Sequence, residues 1–213
     1  SEKLASMGQL AAGVAHEINN PLGVVLMYAH LLLEKYQQDA LLSGDLRLIA
    51  EQADRCKRIV GGLLNFARKN KAILQPVDVS EIVEKSVQAV PNEKGIEIKV
   101  ENHLENRTAE LDGDQMTQVF SNLVANALAA SEKQGKIVIK IAGDDKRLNI
   151  KVIDSGTGIV RENISRIFDP FFTTKQIGEG TGLGLAVAYG IVKMHRGDIK
   201  VESNADKSNG PTG

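Results

Sequence analysis

The chain has 213 residues, and 26 Lys and Arg stand against 27 Asp and Glu for a formal net charge of −1, so no global charge favours nucleic acid or an anionic membrane as partner. Hydrophobic residues make up 42% of it, enough for one large core or two small ones. Aromatics at 4% and the absence of Trp argue against stacking on single strands, and the lone Cys56 excludes an internal disulfide, which fits a reducing compartment.

Residues 1–71 read as helix throughout. Leu46, Ile49, Ala53, Cys56, Val60, Leu63 and Ala67 recur at alternating spacings of three and four, a heptad seam. Upstream, Leu4, Met7, Ala11, Val14, Ile18, Val25, Tyr28 and Leu32 fall on the same grid, with Pro21 interrupting it. The longest nearly apolar stretch, Leu22 to Leu33, contains Gly23 and His30 and is shorter than the roughly 18–20 residues of a membrane span. No direct membrane contact is therefore expected, and no secretory leader is legible at the start. Gln37 to Gly44 is polar enough for a turn, with Ser43 or Gly44 leading into the second helix. The two helices make a hairpin whose extra apolar residues (Leu22, Leu31, Leu33, Ile59, Leu64) widen the stripe beyond what one partner helix covers. A second copy would cover it, giving a four-helix bundle by dimerisation. A coiled-coil spacer is the other reading that this periodicity allows.

From Leu74 onward the pattern changes. Gln75-Pro76 punctuates, and Val79 to Val90 is an amphipathic helix with Asp78 or Ser80 as cap. Ile96 to Val100 alternates as a strand, Asp114 to Ser131 is helical, and Ile137 to Ile141 and Leu148 to Ile153 form a hairpin about Gly143-Asp144-Asp145-Lys146. Leu183 to His195 is a final helix, and Ile199 to Glu202 begins another strand. Mixed strands and helices of this kind imply an α/β sandwich, with helices on one face of a mixed sheet.

Four constellations carry chemistry. Ala15-His16-Glu17-Ile18-Asn19-Asn20-Pro21 lies on the first helix, where Val14 and Ile18 belong to the buried seam and His16 points away from it. Asn20 shares the His16 face one turn later, and Pro21 removes the helical donor for the Glu17 carbonyl, so a bend is expected there. An imidazole that attacks phosphorus needs solvent access and a neighbouring carboxylate for its other proton. An exposed histidine of no consequence is the alternative, and His30, His103 and His195 are read that way. On the 114–131 helix, Asn122 and Asn126 share a face, where neutral amide oxygens could hold Mg²⁺ beside triphosphate oxygens, or form a buried amide network instead. Asp154-Ser155-Gly156-Thr157-Gly158 leaves a strand in a Gly-x-Gly bend; its carboxylate suits an exocyclic amino group such as adenine's, though such a sequence also serves as a plain turn. Gly178, Gly180, Gly182 and Gly184 alternate before the last helix, whose N-terminus can receive phosphates. Ahead of them, Phe168-Asp169-Pro170-Phe171-Phe172-Thr173-Thr174-Lys175 holds three of the five phenylalanines, as an anchor or as core, and Lys175 can reach a γ-phosphate.

In this order the blocks resemble the sensor histidine kinases of two-component systems over nearly the whole chain. His16-Glu-Ile-Asn-Asn-Pro resembles their phosphoacceptor box and the Asn122/Asn126 helix their N box. Asp154-Ser-Gly156-Thr-Gly158 is similar to the first glycine box, Ile167 to Lys175 with Phe168 to the F box, and Gly180-Thr181-Gly182-Leu183-Gly184 to the second glycine box. The resemblance implies a helical hairpin over 1–72 forming a dimeric four-helix bundle, then a Bergerat-type α/β sandwich over 73–213 that binds ATP with Mg²⁺. It implies phosphoryl transfer from ATP to His16 and on to an aspartate of a response-regulator receiver domain, with Glu17 as base, Asn126 as main Mg²⁺ ligand and Asp154 on adenine. By the same likeness Asn20 orients the water that dephosphorylates the regulator. The location implied is cytoplasmic, including the case of a cytoplasmic portion of a membrane-anchored receptor. Two departures stand out: no sensor is legible ahead of the hairpin, and the chain reaches Gly210-Pro211-Thr212-Gly213 where the family continues into a last strand, as a chain either trimmed or disordered beyond that point would. ATPases of the same fold, such as gyrase, carry a hydrolytic Glu where Asn122 stands here, so no carboxylate is ready to activate water. A signalling scaffold with a degenerate ATP site is the non-enzymatic alternative, against which the intact Asn126, Asp154, Gly156, Gly158 and Gly182 count.

Replacing Val60 and Leu63 by Glu is expected to turn a dimer into monomers by light scattering. A wild-type chain already monomeric at tens of micromolar, roughly where an obligate interface is saturated, would remove the dimer.

Overall fold

The computed structural model describes residues 2–68, 72–132, 135–144, 146–175, 180–206 and 212–213. Within 2–17, 58–59 and 61–68 it describes the helical backbone alone. The chain divides into two compact units, Ser1–Asn70 and Lys71–Gly213.

The first unit is a helical hairpin. Helix α1 spans Glu2–Lys35 and is assigned continuously through Pro21; α2 spans Ala40–Arg68. The turn between them is shorter than expected. Asp39 starts α2: its Oδ1 accepts the Leu42 N–H at 3.0 Å, and its carbonyl accepts the Ser43 N–H at 2.9 Å. Ser43, expected near the helix start, is instead buried inside its first turn, and its hydroxyl donates to the Ala40 carbonyl. The seam on α2 also splits. Leu46, Ala53 and Val60 are buried, together with Ala50 and with Ala29 of α1, whereas Ile49 is 48% exposed and Cys56 is exposed. One set of heptad positions thus packs inside the hairpin and the other lines a shallow apolar groove with Leu22 and Val25.

The second unit begins with β1 (Gln75–Asp78), α3 (Val79–Ala89), β2 (Glu97–Asn102) and β3 (Thr108–Leu111). Then come α4 (Gly113–Ala130), β4 (Lys136–Gly143), β5 (Leu148–Asp154), α5 (Arg161–Ile164) and α6 (Gly184–Met194). Strands β2, β4 and β5 form a mixed sheet in that order, β2 and β4 parallel with Glu97 opposite Lys136, β4 and β5 antiparallel with Ile137 opposite Asp154. A separate antiparallel pair joins β1 to β3. Strand β4 alternates as its sequence demands: Ile137, Ile139 and Ile141 are fully buried, each contributing about 1.5–3 kcal/mol of burial. Its other face carries Lys136 and Lys140, paired with Glu97 and Glu101 of β2. The helices bury Val79 and Val83 of α3, Val119 and Val124 of α4, and Ala188 of α6. In the β4–β5 turn, the Asp144 carboxylate accepts the N–H groups of Lys146 and Arg147 at 2.8 Å each, which holds it below the ordinary aspartate range.

Of the two caps suggested for α3, Asp78 serves: its Oδ1 accepts the N–H groups of Ser80 and Glu81. The expected strand at Ile199 to Glu202 is not formed; among the described residues of this region, the ladder-like exchange is confined to Asn204 and Gly213, which trade N–H and carbonyl at 3.1 and 2.9 Å. Strands β1 and β3 were not anticipated, being four residues each with alternate half-exposed positions and a proline in one. Among the described residues, no helix is long and apolar enough to cross a membrane.

Helix α4 ends on a side chain from elsewhere. Lys94 Nζ donates to the carbonyls of Ser131 (2.7 Å), Leu128 (3.2 Å) and Ala129 (3.4 Å), the acceptors that a helix C-terminus leaves unpaired. A cation there also meets the negative end of the helix dipole. Lys94→Met should cost about 1 kcal/mol and lower the unfolding temperature of this unit by about 2–4 °C, with Lys94→Arg largely sparing it. A calorimetric scan checks both; equal melting of Lys94→Met and wild type would reduce the contact to a surface accident.

Candidate functional site

His16 and Glu17 lie on α1, but their side chains are outside the described residues. Asn20, one turn later, is exposed to solvent. Its neighbour Asn19 keeps Oδ1 buried, with no hydrogen bond from the described residues.

In the second unit, α4 organises the expected nucleotide residues. At its C-terminal end, the loop after β5 folds back on it. Thr157 N–H donates to the Ala130 carbonyl at 3.2 Å, and a Cβ on Gly156 would stand 2.7 Å from that same oxygen. Gly156 is therefore required by close approach to a helix end. Asp154, at the last position of β5, accepts the Gly156 N–H on Oδ1 at 2.9 Å and, among the described residues, carries no hydrogen bond on Oδ2. Ser155 Oγ accepts the Lys136 N–H at 2.9 Å and so fixes the loop to β4. Gly158 takes φ +71° against the carbonyl of Asn204, and Ile159 N–H donates to Ser203 Oγ. The loop is thereby held from three sides, with one carboxylate oxygen left open.

Along the same helix, Asn122 and Asn126 are both part-exposed. Asn122 Nδ2 donates to the carbonyl of Gly184, the first residue of α6, at 3.0 Å. Asn126 makes no side-chain hydrogen bond among the described residues, so its amide oxygen is available to a ligand. The two amides are thus neither alike nor a closed network. Among the described residues no cluster of His, Cys, Asp and Glu could hold a metal ion, so a divalent cation here would rest on a neutral amide and on the phosphates it accompanies.

The N-terminus of α6 has no side-chain cap: Leu183 occupies the cap position and is buried, and its side chain supplies no acceptor to the first-turn N–H groups. Such an end is ready for an anion. Before it, Gly182 takes φ +67°, and a Cβ there would lie 2.4 Å from the Phe171 backbone. Its carbonyl accepts the Phe171 N–H at 3.0 Å. Thr181 Oγ1 accepts the Leu183 N–H, and Gly180 sits beside Thr173 and Lys175. Lys175 is exposed; Gly178 lies outside the described residues. The three phenylalanines part company. Phe168 stacks on Tyr189 of α6 with centroids 5.1 Å apart, Phe172 lies under the Arg166 guanidinium at 4.5 Å, and Phe171 is half exposed in left-handed backbone at φ +67°.

Two functional contacts escaped the sequence. Nothing in the local sequence marks Lys94. His195, read as exposed and idle, is instead part-buried, with both ring nitrogens engaged on Ile191 and Asp112. The signal that could have found it is its position, one residue beyond the last helix, where a side chain can still reach another element.

A strand-end carboxylate, a helix of part-exposed amides and an uncapped helix N-terminus after glycines define a nucleotide-binding α/β unit, here preceded by a helical hairpin. Comparison with known proteins agrees in both parts. Residues 6–72 match the His Kinase A (phospho-acceptor) domain, and residues 111–212 match the family of histidine kinase-, DNA gyrase B-, and HSP90-like ATPases. The chain is 37% identical over 209 residues to sensor histidine kinase ZraS of Escherichia coli (strain K12), covering 97% of this chain and 44% of that one. Among solved structures, full-length ShkA in complex with AMPPNP superposes with a TM-score of 0.73 at 28% identity, over 87% of this chain and 41% of that one. Histidine kinase ThkA in complex with response regulator protein TrrA gives 0.63 at 26% identity, over 92% and 57%. The chain belongs to the sensor histidine kinase family, and spans less than half the length of the ZraS sequence it matches.

Gly182→Ala forces a side chain into left-handed backbone and against Phe171, and should destabilise the second unit by at least about 2 kcal/mol. Gly184→Ala, whose Cβ would find the nearest atoms at 3.6 Å on Asn122, should be neutral or stabilising. Thermal unfolding of the two variants side by side tests the contrast; equal effects would mean that the backbone at Gly182 relaxes freely.

Proposed function

We propose that this chain is the kinase core of a longer sensor protein: residues 1–72 dimerise and carry the phosphoacceptor, and residues 73–213 bind ATP. The observation that carries this reading is the uncapped N-terminus of α6 bonded to Asn122, with the open Oδ2 of Asp154 on a neighbouring strand end. The triphosphate would lie at the α6 N-terminus, with Gly180, Thr181, Gly182, Leu183 and Gly184 offering backbone around it and Lys175 beside its γ end. Asp154 would accept from the adenine amino group across Gly156 and Gly158, and Phe168 would brace α6 through Tyr189. Asn126, with Asn122 beside it, fits a Mg²⁺ ion through its uncommitted amide oxygen; the ion supplies charge neutralisation for the phosphates.

In the transfer, a ring nitrogen of His16 attacks the γ-phosphorus as the bond to the β–γ bridging oxygen breaks. ADP leaves with that electron pair, an N–P bond forms, and Glu17 holds or takes the proton on the other ring nitrogen. The phosphoryl group then passes to a receiver aspartate, breaking the N–P bond and forming an acyl phosphate. Asn20, exposed and unable to take a proton, would place the water that later hydrolyses it. The ThkA kinase is seen in complex with a response regulator, TrrA, which supports a partner of that class here. The exposed Ile49 and Cys56 positions support a second copy of the hairpin as the other partner. Both partners, and the ATP pool, suit a cytoplasmic location.

Incubation with γ-labelled ATP and Mg²⁺ should give a label stable to alkali and lost in acid, the behaviour of a phosphoramidate. His16→Gln should abolish the label and keep ATP affinity. Asp154→Asn should weaken ATP by about tenfold or more, the loss of one charge-assisted hydrogen bond. Asn20→Ala should leave labelling intact and slow decay of the phosphorylated regulator. Steady ATP turnover with no label retained, or labelling that survives His16→Gln, would replace the kinase by an ATPase or another acceptor.

A further inference from the structure

Helix α6 is tied to α4 at both ends. At its start, the Gly184 carbonyl accepts from Asn122 Nδ2; just past its end, His195 reaches the residue that caps α4. That residue, Asp112, is buried. Its Oδ1 accepts the Gln115 N–H at 3.0 Å, in the ordinary manner of an N-cap, and its Oδ2 accepts the Ile73 N–H at 3.0 Å, 39 residues upstream. Its backbone N–H points outward from the helix and donates to His195 Nε2 at 3.0 Å.

The last bond fixes the chemistry of the imidazole. An N–H donor on Nε2 requires a lone pair there, so the ring proton must sit on Nδ1, where the Ile191 carbonyl stands 2.9 Å away to receive it. One neutral tautomer satisfies both contacts. Lysine or arginine, being donors alone, would place donor against donor at Asp112. A buried backbone N–H needs an acceptor, and the helix that starts at Gly113 supplies none to its own cap residue.

We propose that His195 is a positioning residue that links the phosphate-facing helix α6, through Asp112, to the segment at Ile73 where the chain arrives from the hairpin. Two ties at opposite ends of α6 prevent it from sliding along α4, so the junction reports the position of its N-terminus. Because Asp112 holds Ile73 with the same side chain that caps α4, a shift of α6 is felt at the entry of the unit. The proposal rests on the kinase reading only where it concerns transfer to His16; the bonding part stands apart from it.

The test pairs two amide substitutions in the full 213-residue chain. Glutamine can set an amide oxygen near the place of Nε2 and keep the acceptor for Asp112; asparagine is too short and imitates Nδ1 alone. His195→Asn should speed hydrogen exchange at the Ile73 amide by about tenfold, the worth of one hydrogen bond. It should leave the affinity for AMPPNP with Mg²⁺ unchanged while slowing labelling of His16, a fall in kcat without a rise in KM. His195→Gln should stay close to wild type in all three. Unchanged exchange at Ile73 in His195→Asn, or equal damage by both variants, overturns the proposal. Should His195→Asn fail to fold, nitrogen-15 spectra of the wild-type imidazole decide: a proton on Nδ1 with Ile73 protected in His195→Gln supports the link, and a proton on Nε2 ends it. A wild-type chain that takes no label would sink the kinase reading, and the exchange measurements would still judge the junction.

Discussion

The pairing of the backbone groups at the two ends of α4 is the constraint on which the second unit depends. A helix of this length leaves unpaired N–H groups at one end and carbonyls at the other, and here side chains and loops from distant segments meet them. At the start, Asp112 takes the Gln115 amide and brings in Ile73. At the finish, Lys94 gathers three carbonyls and Thr157 takes a fourth. The Thr157 bond also fixes the loop of the candidate site, so the segment bearing Asp154 cannot be loosened without exposing the Ala130 carbonyl.

The opposite condition holds at α6. Its first turn is left without a side-chain cap by Leu183, whose side chain has no acceptor to offer an amide. In a unit that caps α3 and α4 with aspartates, an uncapped helix end preceded by glycines leaves room for an anion from outside. On the proposed reading, a phosphate would pair the first-turn amides that no side chain caps, and part of its affinity would be prepared in the fold.

Much of this was legible in the residues. The alternation of Ile137, Ile139 and Ile141, the shift to strand periodicity after Leu74 and the two glycine runs place the sheet and the site in order, because burial and backbone freedom act on neighbours in sequence. What was not legible depends on contacts across long separations. Strands β1 and β3 pair across the intervening α3 and β2 and show no alternation strong enough to announce them. The strand at Ile199 has the composition of a strand but needs a neighbour for its backbone, which composition cannot promise. Lys94 and His195 act through bonds to main-chain groups of other elements, and nothing local distinguishes them from solvated residues. The start of α2 was misplaced because Asp39, inside a polar run, competes as a cap with Ser43 and Gly44, and the choice is settled by which N–H groups its carboxylate meets.

Among the described residues, the interior of the hairpin is rich in small side chains. Ala29, Ala50 and Ala53 account for three of its six buried side chains among those described, with Leu46, Val60 and Ser43. Alanines let two helices approach closely, yet each removes little apolar surface from water. These buried side chains therefore offset little of the entropy of ordering two such long helices. In the proposed dimer, the hairpin's folding would be coupled to association, and its melting temperature would rise with protein concentration. The α/β unit closes its own core and melts at a temperature indifferent to dilution. At low cellular copy number, the phosphoacceptor helices would be the first part of the molecule to lose their structure, while the nucleotide domain still folds.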